Sequence, residues 1–145
     1  MTPTIKFRRL SYAAGLPLPE RATKGSAGLD IAAAEAVTIW PQQRVRVPSG
    51  FEVELPRGYV GMVCPRSGMA AQFGVTVLNA PGIIDSDFRG EIGVILINHG
   101  DVHIEISPGD RIAQLVVLPA ASPRCIEVDE LSDSERRGGF GSTGR

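Results

Sequence analysis

Cysteine and histidine are scarce in this chain, with Cys64, Cys125, His99 and His103 the full complement. The cysteines show no C-x-x-C spacing and no histidine lies near them, which argues against a zinc centre and against a disulfide framework. Both thiols are expected to be reduced, buried and inert. The two histidines flank a turn with no further metal ligand at useful spacing and read as surface residues. An excess of one charge is also missing: the formal net charge is −1. Nothing therefore suggests a nucleic-acid footprint or an anionic-membrane surface. Any phosphate that is bound must be met by a few placed groups. No apolar run approaches the about 20 residues of a membrane span, and MTPTIKFRRL lacks the apolar core of a signal peptide. A cytoplasmic location, without membrane or nucleic acid as partner, is the expectation.

What is present is a series of short apolar runs, at residues 5–7, 37–39, 45–47, 51–53, 59–63, 75–78, 92–97, 102–106, 112–118 and 125–128, separated mostly by the 11 prolines and 17 glycines. Many short strands with Gly/Pro punctuation predict an all-β sandwich or barrel, and 145 residues suit one domain. The one helix candidate is short, over residues 68–72. The run Gly93-Val94-Ile95-Leu96-Ile97 is apolar on both alternating faces, so one face is expected to pack on a subunit partner. From about Leu131 the apolar pattern stops. A body over 1–130 and a mobile C-terminal tail over 131–145 follow.

Five segments carry possible chemistry. Residues 79–91, NAPGIIDSDFRGE, set Asp85-Ser86-Asp87 and Gly90 between two strand-like runs. They read as a β-hairpin whose turn carboxylate holds a water near free backbone groups. Pro65-Arg66-Ser67-Gly68 stands where a strand gives way to the short helix, and amides, a hydroxyl and a guanidinium converge there. Gly109-Asp110-Arg111-Ile112-Ala113-Gln114 reads as a turn entering a buried strand, with Asp110 and Arg111 as a surface arrangement. Ala27-Gly28-Leu29-Asp30-Ile31 puts a carboxylate inside a strand of small residues, where it needs a partner. The tail holds Gly139-Phe140-Gly141-Ser142-Thr143-Gly144, which matches G-x-G-x-x-G, but no βαβ unit surrounds it. Its glycines and hydroxyls still suit phosphate, Arg136 and Arg137 bring charge, and the Phe140 ring could stack on a nucleobase.

As an ordered set, AGLDI, PRSG, NAPGIIDSDFRGEI, GDRIAQL and GGFGSTG resemble the trimeric dUTPase family across nearly the whole chain. The resemblance implies a jelly-roll-like β fold and a homotrimer whose three active sites are each shared among subunits. It implies hydrolysis of dUTP to dUMP and pyrophosphate by water attack on the α-phosphorus, which limits uracil in DNA and supplies dUMP for dTMP synthesis. Carried over by motif, Asp85 activates the water, and Asp30 orients the water shell of a Mg²⁺ whose inner ligands come from the triphosphate and water, not from the protein. Arg66, Ser67, Gly68 and Gln114 grip phosphates, with Ser67 near the leaving bridging oxygen and both Ser67 and Gln114 counted with the catalytic set. Gly82, Ile83, Ile84 and Gly93 read uracil through their backbone, with Asn79 nearby. Phe88 stands where the family usually has Tyr and blocks a ribose 2′-hydroxyl on sterics. Arg136 or Arg137 meets the γ-phosphate, and Phe140, Gly141, Ser142 and Thr143 close over the substrate. The competing readings are a non-enzymatic dUTP-binding trimer and a dCTP deaminase on the same fold; all five segments follow the dUTPase wording.

Overall fold

A computed structural model of the protein describes residues 2–134. The expectations placed on Arg136, Arg137, Phe140, Gly141, Ser142 and Thr143 lie outside the described residues. The elements are β1 (Lys6–Arg9), a 3-10 turn (Ser11–Ala13), β2 (Gly28–Ala32), β3 (Val37–Ile39), β4 (Arg44–Glu54), β5 (Tyr59–Cys64), α1 (Ser67–Phe73), β6 (Val75–Val77), β7 (Gly82–Ile84), β8 (Glu91–Asn98), β9 (Ile104–Ile106) and β10 (Arg111–Pro119). Two four-stranded sheets, in the orders β1-β4-β8-β6 and β2-β10-β5-β7, are antiparallel throughout, and β3-β9 form a small third sheet. The all-β, jelly-roll-like expectation with one short helix holds.

Period-two alternation explains the core. Along β8, Ile92, Val94, Leu96 and Asn98 are buried while Gly93, Ile95 and Ile97 on the other face are only half-buried. Ile92, Val94 and Leu96 meet Ile31, Val63, Ile112 and Leu115 of the opposite sheet in one cluster. The runs at 45–47 and 51–53 are a single strand, because the register shift between Pro48 and Glu52 breaks the ladder but not the strand direction. Gly50 makes that shift possible, at φ 76, where a Cβ would overlap the Ala13 methyl. Helix α1 stops at Gly74, φ 68, whose N–H caps the Ala70 and Met69 carbonyls.

Two expectations are corrected. The run at 125–128 forms no strand, and Ile126 (69%), Val128 (50%) and Leu131 (88%) are exposed. The alternation there is strand-like, but no ladder partner lies within the described residues of this chain. For the same reason Cys125 is exposed, and Cys64, opposite Gln114 at the end of β5, is only half-buried, so neither thiol is a core residue.

Asn98 is fully buried and knits three segments: its Nδ2 donates to the carbonyls of Ile39 (2.9 Å) and Val102 (2.8 Å), and its Oδ1 accepts the Gly100 N–H (2.8 Å). Asn98→Ala would orphan all three backbone groups. It should cost about 2–4 kcal/mol, read as a lower denaturant midpoint at unchanged slope and fixed protein concentration.

Candidate active site

The acidic segment is not a two-stranded hairpin, which corrects the sequence expectation. β7 pairs with β5 in one sheet, through Gly82↔Val63, Ile83↔Met62 and Ile84↔Gly61, whereas β8 lies between β4 and β6 in the other. Apolar alternation identifies strands but not their partners. Residues 85–90 thus form an arch from one sheet to the other. The arch is braced: the Phe88 N–H donates to the Asp85 carbonyl (3.1 Å), and Arg89 Nη1 donates to the carbonyls of Ser86 (2.9 Å) and Phe88 (2.7 Å). Arg89 Nε also lies 3.9 Å from Glu54, which takes a hydrogen bond from Lys6 Nζ at 2.8 Å. The Lys6 hydrogen bond and charge, with help from Arg89, hold the Glu54 carboxyl below its usual range. Asp85 itself is exposed and opens on a hollow shared with Ser86, Asp87, Arg57 and Tyr59.

Because β7 is an edge strand facing β8 across the arch, the space between them is lined by backbone that no ladder consumes on that side. A cavity of about 280 Å³ lies there, lined by Asn79, Gly82, Ile83, Ile84, Phe88 and Gly93, all expected from the sequence, and by Arg46 and Glu91, which were not. It falls just below the about 300–1,000 Å³ typical of small-molecule sites. That suits a single-ring base and part of a sugar, not a whole nucleoside triphosphate. The Phe88 ring lies on Gly90, where a Cβ would fall 2.7 Å from Cζ. Asn79 covers Gly82, with Nδ2 3.2 Å from the Cβ position there.

Glu91 anchors the wall of this cavity. It accepts the Gly50 N–H at 2.7 Å and the Tyr12 hydroxyl, tying the turn after β1 to β8. Burial, then the Glu91 hydrogen bond and charge, push the Tyr12 phenol up to about 12. No sequence signal marks this contact across 79 positions.

The remaining expected residues gather elsewhere. Asp30 on β2 lies 3.3 Å from Arg66 Nε and 3.1 Å from Arg111 Nη1, and Arg66 Nη1 donates to the Arg111 carbonyl at 3.1 Å. The acid in the small-residue strand therefore has its partners. Arg111 pairs with Asp30 and not with Asp110, whose carboxylate caps the Ser107 N–H at 2.8 Å. One carboxylate between two guanidiniums leaves an excess positive charge beside Ser67 and Gly68. Gln114, central in its sheet between Asp30 and Cys64, donates from Nε2 to the Pro65 carbonyl at 3.0 Å and so buttresses the PRSG segment. It needs Gly28, where a Cβ would overlap Gln114 Oε1 and lie 3.0 Å from its Cβ. Arg66 and Arg111 line a separate groove with Met69, Phe73 and His103, which shares no lining residue with the cavity at Gly93. Both histidines are exposed, as expected.

A family model described as dUTPase matches residues 14–144. A deoxyuridine 5′-triphosphate nucleotidohydrolase of Rhizobium rhizogenes is 50% identical, over 98% of this chain and 94% of its own length. The enzyme of that name from Beijerinckia indica subsp. indica is 54% identical, over 98% and 92%. Among solved structures, the dUTPase of Staphylococcus bacteriophage 80alpha with dUPNHPP is similar at TM-score 0.90 and 31% identity, covering 99% of each chain. A mutant dUTPase of phage phi11 of S. aureus, whose structure concerns the coordination of a structural Mg(II) ion, is similar at TM-score 0.81 and 28% identity, covering 90% of this chain and 99% of that one.

The Tyr12 contact has a measurable sign. A phenol raised from 10.0 to about 12 favours the folded state below pH about 10, and the benefit is lost as pH rises through about 12. Alkaline absorbance titration should show a late-ionising tyrosine that Tyr12→Phe removes, and the wild-type advantage over Tyr12→Phe in thermal stability should shrink over the same window.

Proposed function

The chain belongs to the dUTPase family and hydrolyses dUTP, and from that premise we propose how its residues divide the work. The carrying observation is the cavity beside the free edge of β7, whose wall residue Ile84 is followed directly in the chain by Asp85, which lines a second hollow with Arg57 and Tyr59. Backbone N–H and C=O groups of Gly82, Ile83, Ile84 and Gly93 read the uracil edge, with the Asn79 amide beside them. In cytosine the C4 oxygen is replaced by an amino donor, so the same groups would be left unpaired, a penalty that can reach about 10⁴ in discrimination. The Phe88 ring, seated on Gly90, closes the sugar end against a 2′-hydroxyl. Asp85 holds the attacking water and takes its proton as the oxygen attacks the α-phosphorus; pyrophosphate leaves.

Arg66, Ser67, Gly68 and Gln114 meet the phosphates, with Ser67 at the leaving bridging oxygen. Both Asp30 oxygens are engaged by arginines, so this carboxylate suits a hydrated Mg²⁺ better than direct coordination. Bound Mg²⁺ would neutralise developing phosphate charge, with its inner ligands drawn from the triphosphate and water. Among the described residues no cluster of three His, Cys, Asp or Glu side chains offers another place for it.

The assembly in this reading is a homotrimer with shared sites. The base cavity and the Asp30–Arg66–Arg111 cluster occupy different surfaces of one chain, the outward face of β8 is apolar, and Ile126, Val128 and Leu131 lack cover. The body over 1–130 supplies the cavity and the arginine cluster. The segment 131–145 brings Arg136 or Arg137 to the γ-phosphate and Phe140, Gly141, Ser142 and Thr143 to a neighbour's site. The cytoplasm, where dUTP is met, is the proposed location.

Asp85→Asn should fold normally and still bind dUTP while turnover falls by at least about 10²-fold; turnover near the wild-type value would remove Asp85 from the mechanism. Light scattering should give three chains per particle. An Asp85→Asn chain co-assembled with one truncated before Gly138 should regain activity, because some sites then hold one intact copy of each part.

A further inference from the structure

Arg46 stands on β4, opposite Ile95 of β8 and two pairs along from the Pro48↔Gly93 pair. Its side chain runs back across Gly93. A Cβ placed on Gly93 would lie 2.6 Å from Arg46 Cζ and 2.7 Å from Nη2, and closer still to Nε. The backbone at residue 93 does not require glycine, since Gly93 is absent from the positive-φ positions. What requires glycine there is the guanidinium lying on it.

That guanidinium is directed into the base cavity and is uncommitted. Arg8, Arg9, Arg66, Arg89 and Arg111 are each held by a carboxylate or a carbonyl, whereas no hydrogen bond or ion pair holds Arg46 among the described residues. The nearest acid on the same wall, Glu91, is already taken by the Gly50 N–H and the Tyr12 hydroxyl. A guanidinium offers five N–H donors and no acceptor, so its ligand must present an acceptor. Position along β8 selects which one. In the proposed function Phe88, seated on Gly90, closes the sugar end, and Gly93 is three residues beyond Gly90, about 10 Å away at strand rise. A base entering from the sugar end therefore brings its far edge, N3–C4, to Gly93, while C2 stays nearer the glycosidic bond.

We propose that Arg46 is a specificity-determining residue that donates to the C4 carbonyl oxygen of the pyrimidine, with Gly93 as its seat. The inference rests on the dUTPase reading and adds a side chain to recognition otherwise done by backbone. A fixed donor at C4 accepts uracil and opposes cytosine, whose 4-amino group is itself a donor.

The test compares dUTP with 4-thio-dUTP, in which the C4 oxygen becomes a weakly accepting sulfur, on the full-length assembly. The wild type should prefer dUTP by about tenfold or more in kcat/KM, one charge-assisted hydrogen bond being of that size. Arg46→Leu and Arg46→Gln should both raise KM for dUTP and erase most of that preference. Gly93→Ala should act likewise in the wild type but add little in the Arg46→Leu background, because the displaced side chain is already gone. A preference for dUTP retained in Arg46→Leu, with KM within twofold of wild type, would overturn the assignment even though hydrolysis persists. Failure of the wild type itself to release pyrophosphate from dUTP would instead strike the dUTPase reading beneath it. Circular dichroism distinguishes either result from misfolding, and Arg46 is exposed, so both variants are expected to fold.

Discussion

Backbone N–H and C=O groups at a strand edge must find partners, and between β7 and β8 the chain supplies none of its own. The two strands are consecutive in sequence, yet they belong to different sheets. The arch at 85–90 carries the chain across the sandwich, so the polar edges that a hairpin would have consumed stay available to a ligand. In the proposed function, selectivity for a flat heterocycle with donors and acceptors along one edge rests on that open edge. The braces around it serve to hold its width: Arg89 on two carbonyls of the arch, Glu91 on Tyr12 and Gly50, and Phe88 on Gly90.

In the proposed function, charge is handled separately from the base. The cavity is too small for a triphosphate, and the positive cluster of Arg66, Arg111 and Asp30 faces another groove. Three chains arranged so that one cavity meets a neighbour's arginine cluster would satisfy both halves of the substrate. The same arrangement would cover the apolar outer face of β8 and the exposed Ile126 and Val128. Gln114 belongs to this second half. Its contact with Pro65 and its dependence on Gly28 explain why AGLD, PRSG and RIAQ occur as a set, since β2, β10 and β5 are neighbours in one sheet.

Much of this is legible in the sequence. Alternation located most of the strands, and the ordered motifs pointed to the six cavity residues from Asn79 to Gly93. What the residues could not reveal were contacts over long separations. Arg46 reads as a surface arginine until β4 is laid beside β8, and Tyr12 and Glu91 have nothing in common until the Gly50 bulge brings them together. The hairpin reading of 79–91 failed for a related reason: a period of two states which face is buried and is silent on which sheet a strand joins. Residues 125–128 alternate like a strand yet form none, because alternation alone supplies no ladder partner and none lies among the described residues.

Amide hydrogen exchange in the presence of Mg²⁺ and a non-hydrolysable dUTP analogue tests the central claim most directly, because it reports on the backbone groups said to read the base. Saturating analogue should slow exchange at amides within Gly82–Ile84 and at Gly93, and the corresponding cytosine analogue at equal concentration should leave them fast. Unchanged exchange at those positions under saturation, with protection confined to the Arg66–Gly68 region, would mean that the open strand edges do not recognise the base.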